Sequence, residues 1–173
     1  IVSHVVNGET KDGNTDNDTL TVNSGIPGLA ILKQVGLTLD AKGFWTKFVG
    51  VAPGTSVYYK FTVENVGEVD LTDVVVNDPT LVALGVNMSN CSFDLIEKYT
   101  TASCVVGPII AITGTHANTA TASGVYNGTT EDSLNESTAT YATKALSIVK
   151  NSTSVFDSAG DVLNYTYIVT NTG

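Results

Sequence analysis

The chain has 173 residues, 42% of them hydrophobic and only 14% charged, with eight lysines, no arginine, 17 acidic residues and a net charge of −9. That balance excludes a nucleic-acid surface, where basic side chains must replace condensed counterions, and it removes the bidentate arginine clamp for phosphate or carboxylate ligands. Threonine (25) and serine (13) are abundant, which suits strands with hydroxyl-rich outer faces better than helices.

Internal repetition organises the chain. VVNGETKDGNTDNDTLTV, from Val5, resembles VYNGTTEDSLNESTATYA, from Val125. LAILK (29–33) returns as LSIVK (146–150), and VYYKFTVENVG (57–67) returns as LNYTYIVTNTG (163–173). Three segments follow: 1–25 as the C-terminal part of one unit, 28–144 as a complete unit, and 145–173 as the N-terminal part of another. The complete unit carries an insertion around QVGLTLDAKGFWTKFVG (34–50).

Within the complete unit, strands are expected in LAILKQV (29–35), GFWTKFV (43–49), SVYYKFTVENVG (56–67) and DLTDVVVN (70–77), then in CSFDLI (91–96), CVVGPIIAI (104–112), HANTATASGVY (116–126) and ESTATYAT (136–143). The third alternates cleanly, Val57, Tyr59, Phe61 and Val63 against Tyr58, Lys60, Thr62 and Glu64. Turn signals fall at Pro53-Gly54, Val66-Gly67, Asp78-Pro79 and Asn127-Gly128, the last flanked by alternating strands as in a two-residue hairpin. No segment sustains a 3.6-residue period. The expected fold is all-β, an Ig-like antiparallel β-sandwich.

No stretch approaches the roughly 20 apolar residues of a membrane span. No signal peptide is visible, so a mature or internal portion is expected. Cys91 and Cys104 are expected to form a disulfide between neighbouring strands, in an oxidising compartment; two free buried thiols are the alternative. Asn-X-Ser/Thr sequons at Asn17, Asn87, Asn90, Asn127, Asn135, Asn151 and Asn164 point to a glycosylated exterior protein.

LAILK, PGTSVYYKFTVENVGEVDLTDVVVNDP, a cysteine pair and HANTATASG together resemble a tandem Ig-like β-sandwich repeat of bacterial and archaeal cell-surface proteins. That repeat runs Tyr-x-hydrophobic-x-Val-x-Asn-x-Gly, then Val-x-Val-x-Asp, then Cys…Cys and Asn-x-Ala. Asp78-Pro79 lacks the family's Leu-Pro spacing, and the insertion before Pro53 is a second departure. The resemblance implies serial sandwiches in stalks, adhesins, surface layers and filaments, without naming a ligand. It is also related to Gram-positive pilin domains that join a lysine on the first strand to an asparagine on a late strand beside a buried acid. The matching positions are Lys33, Asn118 and Asp78, and the resemblance implies an isopeptide bond there. A surface lysine and an asparagine bonded to backbone are the plainer arrangement.

Other chemistry is thin. His4 and His116 are the only histidines, and neither belongs to a nucleophile or metal motif, so no enzyme activity is expected. Asp12, Asn14, Asp16 and Asp18 alternate as the start of a calcium cage, but the turn glycine and the bidentate glutamate are missing, and a solvated acidic loop is the plainer reading. No other cofactor is expected. Phe44, Trp45 and Phe48 in the insertion form either a packed extra strand or flap, or an exposed contact to a neighbour.

The expected function is that of a non-catalytic extracellular structural protein at the cell surface. It would be part of a filament, stalk or sheath whose junctions are completed by strands of adjacent repeats or other copies of itself. Its partners are then copies of itself, adjacent repeats and glycans. A continuous array accounts better for the middle strands that both partial units lack. The alternative is an adhesin or carbohydrate-binding module, which aromatic residues on loops would favour.

Overall fold

The structure, a computed structural model, describes the backbone at 4–6 and 9–11, and residues 25–144, 146–152 and 158–171. The elements in chain order are β1 (His4–Val6), β2 (Glu9–Lys11), β3 (Leu29–Gly36), β4 (Phe48–Val51), β5 (Ser56–Asn65), β6 (Leu71–Asn77) and α1 (Pro79–Ala83). They continue with β7 (Ser92–Ile96), β8 (Thr101–Ile110), β9 (Thr115–Tyr126), β10 (Thr129–Asp132), β11 (Ser137–Thr143), β12 (Leu146–Ser152) and β13 (Tyr165–Asn171).

Residues 29–143 form a β-sandwich. One sheet is ordered β3-β5-β8; the other is ordered β4-β11-β9-β6-β7, with β10 paired to β9. Alternation decides which side chains meet between them. From β5 come Val57, Tyr59, Phe61 and Val63; opposite lie Val74, Val76, Ala120, Ala122, Ala139 and Tyr141, all buried. Leu71 and Val74, three apart on β6, both face inward because a bulge intervenes, with Asp73 at φ +48°.

The expected all-β sandwich is present, with three local differences. GFWTKFV is not one strand: the strand is Phe48–Val51, and it lies parallel to β11, so the sandwich is not wholly antiparallel. The preceding residues form a flap in which Thr46 bridges Val35 and the half-buried Trp45 donates to the Asp40 carbonyl at 3.1 Å. Second, Asp78-Pro79 opens the short helix α1, in which Pro79 needs no N–H and Asp78 caps the first turn. Third, the outer edge of β3 is covered by side chains. Asn135 accepts from the Ile31 N–H (3.0 Å) and donates to the Ile31 carbonyl (2.8 Å), while the Ser137 hydroxyl accepts from the Lys33 N–H (2.8 Å). A side-chain amide and a hydroxyl thus stand in for a neighbouring strand there.

The turn at Asn127-Gly128 follows the expectation, with both residues at positive φ (49° and 77°), as a two-residue hairpin turn requires. The Asn-x-Gly of the repeated motif also has a clear role. Buried Asn65 donates to the Val69 and Ile96 carbonyls (2.8 and 2.9 Å) and accepts from the Gly67 N–H. A Cβ at Gly67 would lie 2.4 Å from the Gly28 nitrogen, so only glycine lets the incoming chain cross this turn.

Cys91 and Cys104 are joined as expected. Cys91 ends the 3-10 turn leading into β7 and Cys104 lies on β8, so the disulfide links the two sheets at one edge of the sandwich.

The repeat is visible in strand pairing. In β3–β5, Leu29 faces Asn65, Ile31 faces Val63 and Lys33 faces Phe61. In β12–β13, Leu146 faces Asn171, Ile148 faces Val169 and Lys150 faces Tyr167. The β1–β2 hairpin pairs Val6 with Glu9 as β9–β10 pairs Tyr126 with Thr129. Each correspondence follows the sequence repeat, with no slip in register.

Candidate functional site: a buried lysine, aspartate and asparagine

Three polar side chains meet inside the sandwich. Lys33 and Asp78 are 0% exposed and Asn118 is 5% exposed. Lys33 comes from β3 of one sheet, and Asn118 from β9 of the other. Asp78 lies between the end of β6 and α1. The period-2 pattern places all three inward: Lys33 follows Leu29 and Ile31, and Asn118 precedes Ala120 and Ala122.

Asp78 organises the cluster. Its Oδ1 accepts from the Leu81 N–H at 3.0 Å as the helix cap, which fixes the carboxylate plane. Its Oδ2 accepts from Lys33 Nζ in a short, fully buried ion pair, and from Asn118 Nδ2 at 3.2 Å. The Lys33 ammonium also lies over the Tyr59 ring (4.6 Å to its centroid) and near Phe61 (5.3 Å). Asn118 Oδ1 is buried without a hydrogen-bond partner among the described residues.

Burial pushes the Lys33 amine down to about 8, against the opposing hydrogen bond and charge of Asp78, with the Lys47 charge adding slightly to the fall. Burial also raises the Tyr59 hydroxyl, helped by Tyr141 and Asp78. Lys33 is therefore within reach of its neutral, nucleophilic form near neutral pH. A cleft of about 560 Å³ has Asn118, Tyr59, His116 and Tyr141 in its walls, so the amide borders a path to solvent. His116 stacks on Tyr141 at 4.8 Å and contacts the Thr113 carbonyl, a structural role.

Lys33, Asp78 and Asn118 lie together in the interior: Lys33 is not at the surface, and the Asn118 side chain donates to the Asp78 carboxylate. The N-cap role of Asp78 was missed, although Asp-Pro is its sequence signature. Asn87, Asn90, Asn127, Asn151 and Asn164 are exposed. Asn135 is exposed as well, but its Nδ2 already donates to the Ile31 and Glu136 carbonyls. Asp12, Asn14, Asp16, Asp18 and Asn17 lie outside the described residues. Phe44 is 80% exposed and Phe48 is exposed, while Trp45 packs on Gly36, so the insertion is both flap and exposed surface. No helix among the described residues is long and apolar enough to cross a membrane. No protein-family model matches the chain, and no curated protein matches it.

Proposed function

We propose that this is a non-catalytic structural protein of the extracellular surface, in which β-sandwich units follow one another along a filament, stalk or sheath. The observation that carries the reading is the path of the backbone. The chain comes in across the turn after β5, where the Gly28 carbonyl accepts from the Val66 and Gly67 N–H groups (3.0 and 3.1 Å). It leaves at the other end of the sandwich, where Thr143 and Lys144 donate to the Gly114 and Val51 carbonyls (both 2.9 Å). Those ends are separated by the ten-residue β5, about 30 Å of extended strand. A domain whose termini lie at opposite poles is suited to serial connection. The single residue between Lys144 and β12 keeps the next strand close. The disulfide and the exposed sequons support an oxidising exterior.

Within the complete unit, the buried cluster supports an amide bond between Lys33 and Asn118. The neutral Lys33 amine attacks Asn118 Cγ, and the bond from Cγ to Nδ2 breaks. One ammonium proton stays on the new amide nitrogen. The other two pass through Asp78 Oδ2 to the leaving nitrogen, which departs as ammonium and leaves the carboxylate restored. The product links β3 to β9 on the side of the sandwich away from the disulfide. Electron micrographs of the native material test the surface reading: long regular fibres or sheaths are expected, and dispersed single particles would refute it. The intact mass of the chain tests the bond, with a deficit of about 17 Da (one ammonia) expected beyond that of the disulfide.

A further inference from the structure

The β12–β13 hairpin reproduces the β3–β5 hairpin down to its lysine. Lys150 faces Tyr167 as Lys33 faces Phe61, and Ser152 faces Tyr165 as Val35 faces Tyr59. The Lys150 ammonium lies 3.8 Å from the Tyr165 ring centroid and 5.7 Å from that of Tyr167. Lys33 has the same nearer and farther rings at the equivalent positions, Tyr59 and Phe61. The surroundings differ. Leu146 and Ile148 are 73% and 67% exposed, whereas their counterparts Leu29 and Ile31 are 0% and 4% exposed. In the complete sandwich that apolar row is closed by the sheet that supplies Asp78 and Asn118.

We propose that Lys150 is a second amide-forming lysine, whose acceptor is an asparagine carboxamide held beside a carboxyl group on a sheet built like β6–β9–β11 of another unit. The reasoning rests on the amide reading of Lys33. The partner's chemistry follows from register: a sheet that covers Leu146, Ile148, Tyr167 and Val169 in the manner of the complete unit brings its Asp78 and Asn118 equivalents to Lys150. One sequon agrees on the face: Asn151 is out of phase with Lys150 along β12, so a glycan there would project from the opposite side. Asn118 of this chain is committed to Lys33, so the acceptor asparagine is a different one. The balance is that of the first bond, with one ammonium released per amide formed.

The test is peptide mapping of the native, assembled protein after denaturation and trypsin digestion. Lys150 is expected in a branched peptide, uncleaved after that lysine, joined to an asparagine-containing peptide with a loss of about 17 Da. Recovery of Lys150 at the end of an ordinary linear peptide overturns the inference. If Lys33 is joined to Asn118 while Lys150 is linear, the proposal for Lys150 fails alone. If Lys33 itself is linear, the amide reading beneath it fails as well.

Discussion

The β3–β5 and β12–β13 hairpins share their register and the place of their lysine, yet one forms half of a sealed core and the other is solvated along its length. The strand pattern therefore sets which side chains line a face, but not whether that face is buried. Burial comes from the second sheet, and with it come the lowered basicity of Lys33 and its contact with Asp78. A hairpin of the same register without that sheet has the lysine without a facing carboxylate and amide.

The largest way to break the comparison is Asp78→Ala, which removes the helix cap and leaves the Lys33 charge buried alone. Beyond the loss of the crosslink, a cost of about 3–5 kcal/mol from the uncompensated lysine and about 1 kcal/mol from the cap is expected in denaturant unfolding, with no amide formed. Asn118→Ala keeps the ion pair and removes only the acceptor. The mass deficit should vanish, and stability should fall by about 4 kcal/mol, the loop-closure contribution of a crosslink spanning this much chain.

Matched truncations sharpen the contrast. Ile31→Ala is expected to cost about 2–5 kcal/mol, whereas Ile148→Ala, at the same register position, should stay within about 0.5 kcal/mol in the isolated chain. A large cost at Ile148 would mean that its face is already covered in solution. The smallest effect is a pH trend. In Asn118→Ala, Lys33 remains a free amine with a folded value of about 8 against 10.5 when unfolded, so the unfolded chain holds more protons between them. Stability should therefore rise as pH increases from about 8 toward 10, before the elevated Tyr59 hydroxyl begins to oppose it. The crosslinked parent should lack this rise, and parallel unfolding titrations of the two proteins would show it.

Much of the fold was legible from alternation. The resemblance to pilin domains singled out Lys33, Asp78 and Asn118, and alternation gave each an inward phase, because a period of two leaves a strand only two faces. The Asn127-Gly128 turn and the cysteine pair were legible from chemistry that few other arrangements satisfy. The bulge at Asp73 was not, since it depends on backbone geometry that leaves no mark in residue type. Nor was the parallel pairing of β4, which is set by the flap folding back onto Val35. The cover along β3 was hidden too, because Asn135 reads as a sequon until its amide is seen bonded to Ile31.

The passage of the chain from one pole to the other has a mechanical consequence. Pull on both ends, and the tension enters through β3 and leaves through β11. With Lys33 joined to Asn118, the stress crosses from β3 to β9 and runs on through residues 119–143, and residues 34–117 form a slack loop that bears none of it. Such a unit would yield only in its leading residues and in that trailing stretch, so a string of them would stretch far less than one without the bond.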